Sequence, residues 1–350
     1  MADDVAVAKA QRVSFVELLD KLQNYEYGKY AFRGVKLSSY TLTPSALRPS
    51  ENGDHTPTED YVLTLAKRDR VDLPSLTDGK HTASYCHTCR ELGLLYYFYR
   101  YTNQQGLGLP SIEVFNSTVD ANRLMQTVAL WEQENESIMS LTRWAEYSED
   151  GKKVPIQPDE HEKEWLKYWY SPELEGIAAL AQHYGLPTRL LDWTYDYYTA
   201  LYFAIIGACE RIKNDQDSKK FTRDQFSVYV LQLERIHTLP GDLRIVTPAY
   251  YTNPNLSAQK GLFTYWRSLI GSDELVEEAE GQISLDRSYH PYVEKFDIRY
   301  SELLSALEHI IDRGCLGSKY YPGYDGIKKE IEERRMVTAV AEKFYSSTIA

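Results

Sequence analysis

A short segment of the chain concentrates side chains that enzymes use for proton transfer and anion binding. The run QHYGLPTRLLDWT, residues 182–194, contains the imidazole of His183, the guanidinium of Arg189 and the carboxylate of Asp192. An apolar helical pattern precedes it, and Gly185 can end that helix in a left-handed conformation. Titratable groups crowded at a helix end are typical of a functional site.

A second candidate lies near the N terminus, in the strand-like run YAFRGV at residues 30–35. Arg33 follows the apolar Phe32 and precedes Gly34, whose freedom of backbone conformation suits a close approach. A cation within a buried strand is costly unless it has a partner. The sequence leaves two interpretations open: a structural ion pair, for which Asp192 is a candidate partner, or an anion that arrives from outside.

The hydrophobic pattern predicts the elements that must position these groups. Helical periodicity dominates the first two thirds, whereas FSVYVLQLE (226–234) alternates with period two and indicates a strand. This order predicts an α+β fold with a mixed or antiparallel sheet, formed by a single domain over residues 1–350. Residues 51–160 are predicted to be largely helical, with a long helical region at about 119–148 and a linker-like stretch at 148–160.

The overall charge and the length of the apolar runs disfavour some classes of binding partner. The net charge of -12 and the pI of about 5.3 disfavour indiscriminate binding to nucleic acid. The first residues lack the pattern of a secretory signal, and the apolar runs are too short to span a bilayer. We therefore expect a cytoplasmic protein with no membrane partner and with reduced thiols.

Several common catalytic signatures are missing from the sequence, among them the P-loop, the His-Glu-x-x-His zinc motif and the Gly-x-Ser-x-Gly elbow. The CHTC run at 86–89 has metal-ligand spacing, but no second Cys-x-x-Cys follows. One half-site favours cysteines without a metal. An ordinary kinase, α/β-hydrolase, zinc protease or Rossmann dehydrogenase is disfavoured.

Five motifs in order give the chain a resemblance to a known family. They are FRG, PSALRP, QHYGLPTRLLDWT, NLSAQKGLF and YYPGYDGIKKEIE, spread between about residues 14 and 334. In this order they resemble the FRG domain family, which is named for its Phe-Arg-Gly. Residues 51–160 carry little of this resemblance, which implies that they are a large helical insertion within the domain. Members occur in bacteria and phages, often beside mobile-element and defence functions. The resemblance therefore implies an effector or toxin in bacterial or phage conflict.

A weaker similarity links the chain to the ADP-ribosyltransferase type of NAD-using fold. It implies NAD as substrate, with Arg33 holding the diphosphate or the adjoining ribose. His183 would serve as acid/base or bind a ribose hydroxyl. Gln259 or Asp192 would stabilise the positive charge that develops at the ribose carbon. The AQKG segment carries no second acid at the spacing of the transferases' Gln/Glu-x-Glu loop.

The same resemblance supplies the rest of a predicted NAD-binding set, in which an aromatic ring stacks on nicotinamide and polar groups hold the nucleotide. The residues are Phe32, Gly34, Tyr184, Thr188, Arg189 and Trp193. Trp193 or Tyr184 would provide the stacking surface.

Two other functions stay open at this point. A metal-independent nuclease or nucleotide-processing toxin would use His183 as acid/base and Arg189 on a phosphate. A non-catalytic ligand- or protein-binding module would use Arg33 and Asp192 as a structural pair and Trp193 as core. The expected ligand is a nucleotide-type small molecule, and the target is a protein or a nucleic acid.

Overall fold

The computed structural model describes residues 10–48, 57–71, 83–109, 112, 115, 143–147, 153–156, 172–214, 223–234, 243–248, 253–266 and 293–349. The helices within them are α1 (Phe15–Leu22), α2 (Pro57–Asp69), α3 (Ala83–Gln104), α4 (Pro172–His183), α5 (Tyr197–Asn214), α6 (Pro254–Ala258), α7 (Leu303–Asp312), α8 (Gly317–Tyr320) and α9 (Tyr324–Ile349). The strands are β1 (Gln11–Arg12), β2 (Tyr30–Val35), β3 (Arg143–Tyr147), β4 (Lys153–Ile156), β5 (Leu191–Thr194), β6 (Gln225–Gln232), β7 (Leu243–Val246), β8 (Gly261–Trp266) and β9 (Val293–Arg299).

A seven-stranded sheet organises the fold, in the order β1-β9-β6-β2-β5-β8-β7. Strand β1 runs parallel to β9, and the other pairs are antiparallel, so the sheet is mixed. Strands that are far apart in sequence, β2 and β5, lie side by side at its centre. The α+β prediction is confirmed.

The segment from 143 to 156 differs from its prediction. Residues 143–147 form β3 rather than the end of a long helix, and residues 153–156, predicted as part of a linker, form β4 and pair with it. Aromatic and β-branched residues in RWAEY and KVPI favour strands over helix. The rest of the predicted helix, 119–142, lies outside the described residues.

Helix α5 packs closely against the central strand β2. Its buried face consists of small and apolar residues, including Ala200, Ala204 and Ile205. A Cβ added to Gly34 would lie 1.8 Å from the backbone oxygen of Ala200. No residue other than glycine fits there without moving the helix away from the strand, so the close contact between β2 and α5 depends on Gly34.

Hydrogen bonds of polar side chains stabilise the first and the last described helix. Helix α1 begins with the predicted capping box, in which Ser14 and Glu17 bond each other's backbone N–H groups. Helix α9 carries the buried Glu333, which accepts hydrogen bonds of 2.6 Å from Tyr202 Oη and Gly317 N. Burial raises the pKa of Glu333.

Among the described helices, none is both long enough and apolar enough to cross a bilayer.

Candidate active site at the fork between two central strands

The central strands β2 and β5 separate after one residue pair. Phe32 pairs with Thr194, whereas β2 and β6 stay in register over six pairs from Tyr30 to Val35. A cavity of about 410 Å³ lies at this fork, between the strands, the C-terminal ends of α4 and α6, and the first half of α5. The separation of the strands therefore exposes side chains that a continuous sheet would bury.

Arg33 spans the fork. Its Nη1 donates to the backbone oxygen of Asp192 at 2.7 Å and lies 3.4 Å from the Asp192 carboxylate. The side chain is 13% exposed, and its Nε is buried without a hydrogen-bond partner in the described part of the chain. A guanidinium has five donors, so Arg33 can hold the fork and still bind a ligand.

The Asp192 carboxylate reaches out from the fork and is 56% exposed. Gln182 Nε2 donates to both of its oxygens, at 3.3 Å and 3.2 Å, and to the backbone oxygen of Leu190 at 3.2 Å. Gln182 was not among the predicted site residues. Its place in QHYG, directly before His183, was the signal for it, because the last turn of a helix that ends at a site also faces that site.

His183 ends α4, is half-buried and lines the cavity. Burial lowers the pKa of its imidazole, and the Asp192 carboxylate raises it by a smaller amount. The net direction is downward, so the imidazole is neutral at pH 7 and available as a proton acceptor.

Gln259 fixes the opposite wall. Its Nε2 donates to the backbone oxygen of Tyr320 at 3.3 Å, and its own backbone oxygen accepts from Thr194 Oγ1 at 2.7 Å. These bonds connect the end of α6 to β5 and to the last residue of α8. Gln259 thus lines the cavity as part of a wall built from distant parts of the chain.

Seven of the ten predicted residues line this one cavity, and three do not. The lining residues are Phe32, Arg33, Gly34, His183, Asp192, Trp193 and Gln259. Tyr184 is 68% exposed beside His183, while Thr188 is fully buried and donates to Gln182 Oε1 at 2.7 Å. Arg189, the third, lies in an ion pair within the core.

Arg189 pairs with Glu91 of α3. Its Nε and Nη2 both lie 2.9 Å from Glu91 Oε2, and its backbone N–H donates to Oε1 at 2.7 Å. The two side chains are 3% and 2% exposed. This pair joins α3 to the turn before β5, so the Arg189 guanidinium is a structural group away from the cavity lining.

The aromatic surfaces of the cavity also differ from expectation. Trp193 lines it but is only 3% exposed, and its Nε1 donates to Thr264 Oγ1 at 2.8 Å, so most of the indole belongs to the core. Two rings that were not predicted line the cavity with more accessible surface: Phe203 of α5, which is 38% exposed, and the half-buried Tyr321.

A second guanidinium lies near the first. Arg48, from the PSALRP motif, donates through Nε to the backbone oxygen of Thr43 at 2.8 Å. Desolvation by surrounding protein atoms and the Arg33 cation lower the pKa of Arg48, and the Asp192 carboxylate raises it. Arg48 is not among the residues that line the cavity, but it interacts electrostatically with both Arg33 and Asp192. The surroundings of the fork thus carry two cations and one carboxylate, which favours an anion.

No group of three or more His, Cys, Asp or Glu side chains suited to a metal ion occurs in the described residues. The side chains of Cys86 and His87, in the CHTC run, lie outside them.

The sequence model of the FRG domain matches residues 116–215, a range that contains α4, β5 and α5. The predicted resemblance to the FRG domain family is therefore confirmed over this part of the chain. The matched range carries His183 and Asp192, and it ends before Gln259 and begins after Arg33. Comparison with curated proteins finds no match, and comparison with solved structures finds none either.

Proposed function

We propose that the fork cavity binds NAD and cleaves the bond between nicotinamide and its ribose, releasing the ADP-ribosyl group to water or to a macromolecular acceptor. One observation carries the proposal. Arg33 is held at the fork by its 2.7 Å bond to the Asp192 backbone, and its buried Nε has no partner in the described residues.

Charge supports an anionic ligand with two phosphates. The planar guanidinium of Arg33 suits phosphate oxygens, and Arg48 supplies a second cation nearby. Asp192 neutralises only one of these charges. The volume of about 410 Å³ falls in the range of pockets that hold small molecules and cofactors.

The apolar part of the cavity suits a flat ring. Phe203 and Tyr321 contribute accessible aromatic surface to its wall. Nicotinamide is a planar, electron-poor ring, and aromatic side chains bind such rings by stacking. We place nicotinamide against these two residues rather than against the buried Trp193.

The polar residues fit the chemistry of the cleavage. When the C1′–N bond breaks, its electron pair leaves with nicotinamide, and positive charge develops on the ribose. The Asp192 carboxylate stabilises that charge. A water or acceptor hydroxyl then bonds to C1′, and the neutral His183 imidazole takes its proton.

The alternative of phosphodiester cleavage fits this geometry less well. That mechanism would use Arg189 on a phosphate, and Arg189 is buried in its pair with Glu91. We include in this proposal an effector role in bacterial or phage conflict, which is suggested by the resemblance to the FRG domain family.

Release of nicotinamide from NAD tests the proposal. Purified protein is incubated with NAD labelled in the adenylate, with and without cell lysate, and both nicotinamide and labelled macromolecules are followed. We expect release by the wild type, loss in Arg33→Ala, and normal release in Arg299→Ala, an exposed strand arginine. No release in either condition would refute the proposed function.

A further inference from the structure

Gln182 forms a hydrogen-bonded bridge that joins three segments of the chain at the fork. Its Nε2 donates to the Asp192 carboxylate and to the Leu190 backbone oxygen. Its Oε1 accepts from Thr188 Oγ1 at 2.7 Å and lies 3.5 Å from Ser45 Oγ, which is closer to the Thr188 backbone oxygen, at 3.2 Å. One amide therefore connects α4, the turn before β5 and the PSALRP segment.

The surrounding bonds determine which way the amide points. Thr188 Oγ1 accepts from the backbone N–H of Leu190 at 3.2 Å and has one hydrogen to donate. That hydrogen goes to Gln182 Oε1, so the amide NH₂ faces Asp192. The reverse orientation would place an amide oxygen against a carboxylate, which is unfavourable.

Asp192 needs such a partner because it is more than half exposed. Arg33 approaches its carboxylate only at 3.4 Å, since the short bond of Arg33 goes to the backbone oxygen instead. An exposed carboxylate with a single long contact rotates readily into solvent. Gln182 supplies contacts to both oxygens and so restricts that rotation.

We propose that Gln182 is a positioning residue that holds the Asp192 carboxylate at the fork, facing the reacting ribose carbon. This inference rests on the proposed NAD cleavage for its catalytic consequence, but the contact itself can be tested without substrate. Thr188 contributes indirectly, because its hydroxyl fixes the orientation of the Gln182 amide, and Ser45 holds the backbone of Thr188.

The contact is tested by NMR of ¹⁵N-labelled protein. The side-chain amide resonances of Gln182 are identified by their loss in Gln182→Met. We expect them to shift in Asp192→Ala and in Thr188→Val, and not in Asp20→Ala, an exposed aspartate of α1. Unchanged chemical shifts of these resonances in Asp192→Ala would overturn the proposal, independently of any activity on NAD.

The consequence is tested by kinetics. Gln182→Met should lower kcat for nicotinamide release about 100-fold with KM nearly unchanged, since a misplaced catalytic group slows the step without removing substrate contacts. Gln182→Glu should not restore kcat, because two carboxylates would repel each other. Normal kcat in Gln182→Met would overturn the positioning role. If the Gln182 amide resonances shift in Asp192→Ala but the wild type releases no nicotinamide, NAD cleavage would be refuted and the Gln182–Asp192 contact would still be established.

Discussion

The guanidinium of Arg33 donates a hydrogen bond of 2.7 Å to the backbone oxygen of Asp192, across the gap between β2 and β5. In an antiparallel ladder, the donor to such an oxygen is usually a backbone N–H of the neighbouring strand. A side chain replaces the backbone donor here because the strands separate after Phe32 and Thr194. Arg33 therefore completes the sheet and faces the cavity at once.

Arg33→Lys is expected to be nearly as damaging as Arg33→Ala. A lysine ammonium keeps the charge but cannot bond the Asp192 backbone and a phosphate in the planar geometry of a guanidinium. We expect nicotinamide release to fall by about 10²–10³-fold in both variants, as for loss of a preorganised donor. Activity in Arg33→Lys near that of the wild type would show that charge alone is sufficient.

Gly34→Ala should destabilise the fold. The added Cβ would meet the Ala200 backbone oxygen at 1.8 Å, and relief requires α5 to move away from β2. We expect a loss of about 3 kcal/mol or more in the free energy of unfolding, measured by urea denaturation. The matched control is Gly108→Ala, where a Cβ has open space. Equal stability of the two variants would contradict the close packing of β2 and α5.

Arg189→Met should lower the free energy of unfolding, with no specific effect on catalysis by the folded protein. It removes the buried guanidinium that pairs with the Glu91 carboxylate, at a cost of about 3–5 kcal/mol. The control is Arg334, an exposed arginine that pairs with the half-buried Glu330, since Arg334→Met should cost less than about 1 kcal/mol. Chemical denaturation gives both values. If the folded Arg189→Met protein fails to bind NAD, the structural role assigned to Arg189 is wrong.

Acid should destabilise the fold through two histidines. Burial lowers the pKa of His183 and of His309 below the ordinary value of 6.5. Between the folded and unfolded pKa values, the unfolded chain binds more protons, so the free energy of unfolding falls as pH drops below about 6.5. Denaturation at pH 7.5 and 5.5 should show a smaller loss in His183→Gln than in the wild type. An unchanged loss would contradict the burial of this imidazole in its neutral form.

Phe203→Ala should raise KM for NAD without lowering binding of ADP-ribose. Phe203 contributes exposed aromatic surface to the cavity wall, where we place nicotinamide. The expected rise in KM is about 10-fold, corresponding to loss of roughly 1.4 kcal/mol of ring contact. Val16→Ala, an exposed apolar residue of α1, is the control. Equal weakening of NAD and ADP-ribose would place the ring elsewhere.

The sequence predicted the elements with strong local signals and failed where pairing is long-range. Alternation in 226–234 and the capping box at Ser14 depend on neighbouring residues, and both predictions were confirmed. The strand Leu191–Thr194 is only four residues long, and its pairing with β8 and β2 has no local signature. The hairpin β3–β4 was missed because residues 143–147 also fit the end of a helical pattern, and residues 153–156 lie in a stretch with the composition of a linker.

The sequence predicted several polar residues of the candidate site but did not predict the geometry of the cavity. Arg33 and Asp192 were considered as partners because strand burial makes an unpaired cation costly. Their contact through a backbone oxygen depends on the fork, which sequence patterns do not reveal. Arg189 looked like a site residue beside His183, yet its partner Glu91 lies far away in sequence. Phe203 and Tyr321 were missed because a lining aromatic and a core aromatic have the same sequence pattern.

Calorimetric titration of NAD into the wild type and Arg33→Ala proteins tests the central claim most directly. We expect saturable binding of one NAD per chain by the wild type. Arg33→Ala, confirmed as folded by its thermal transition, should bind at least about 10-fold more weakly, since a charge-assisted bond to phosphate is worth about 1.5–3 kcal/mol. No binding by the wild type, or equal affinity in the two proteins, would contradict the assignment of the fork cavity to NAD.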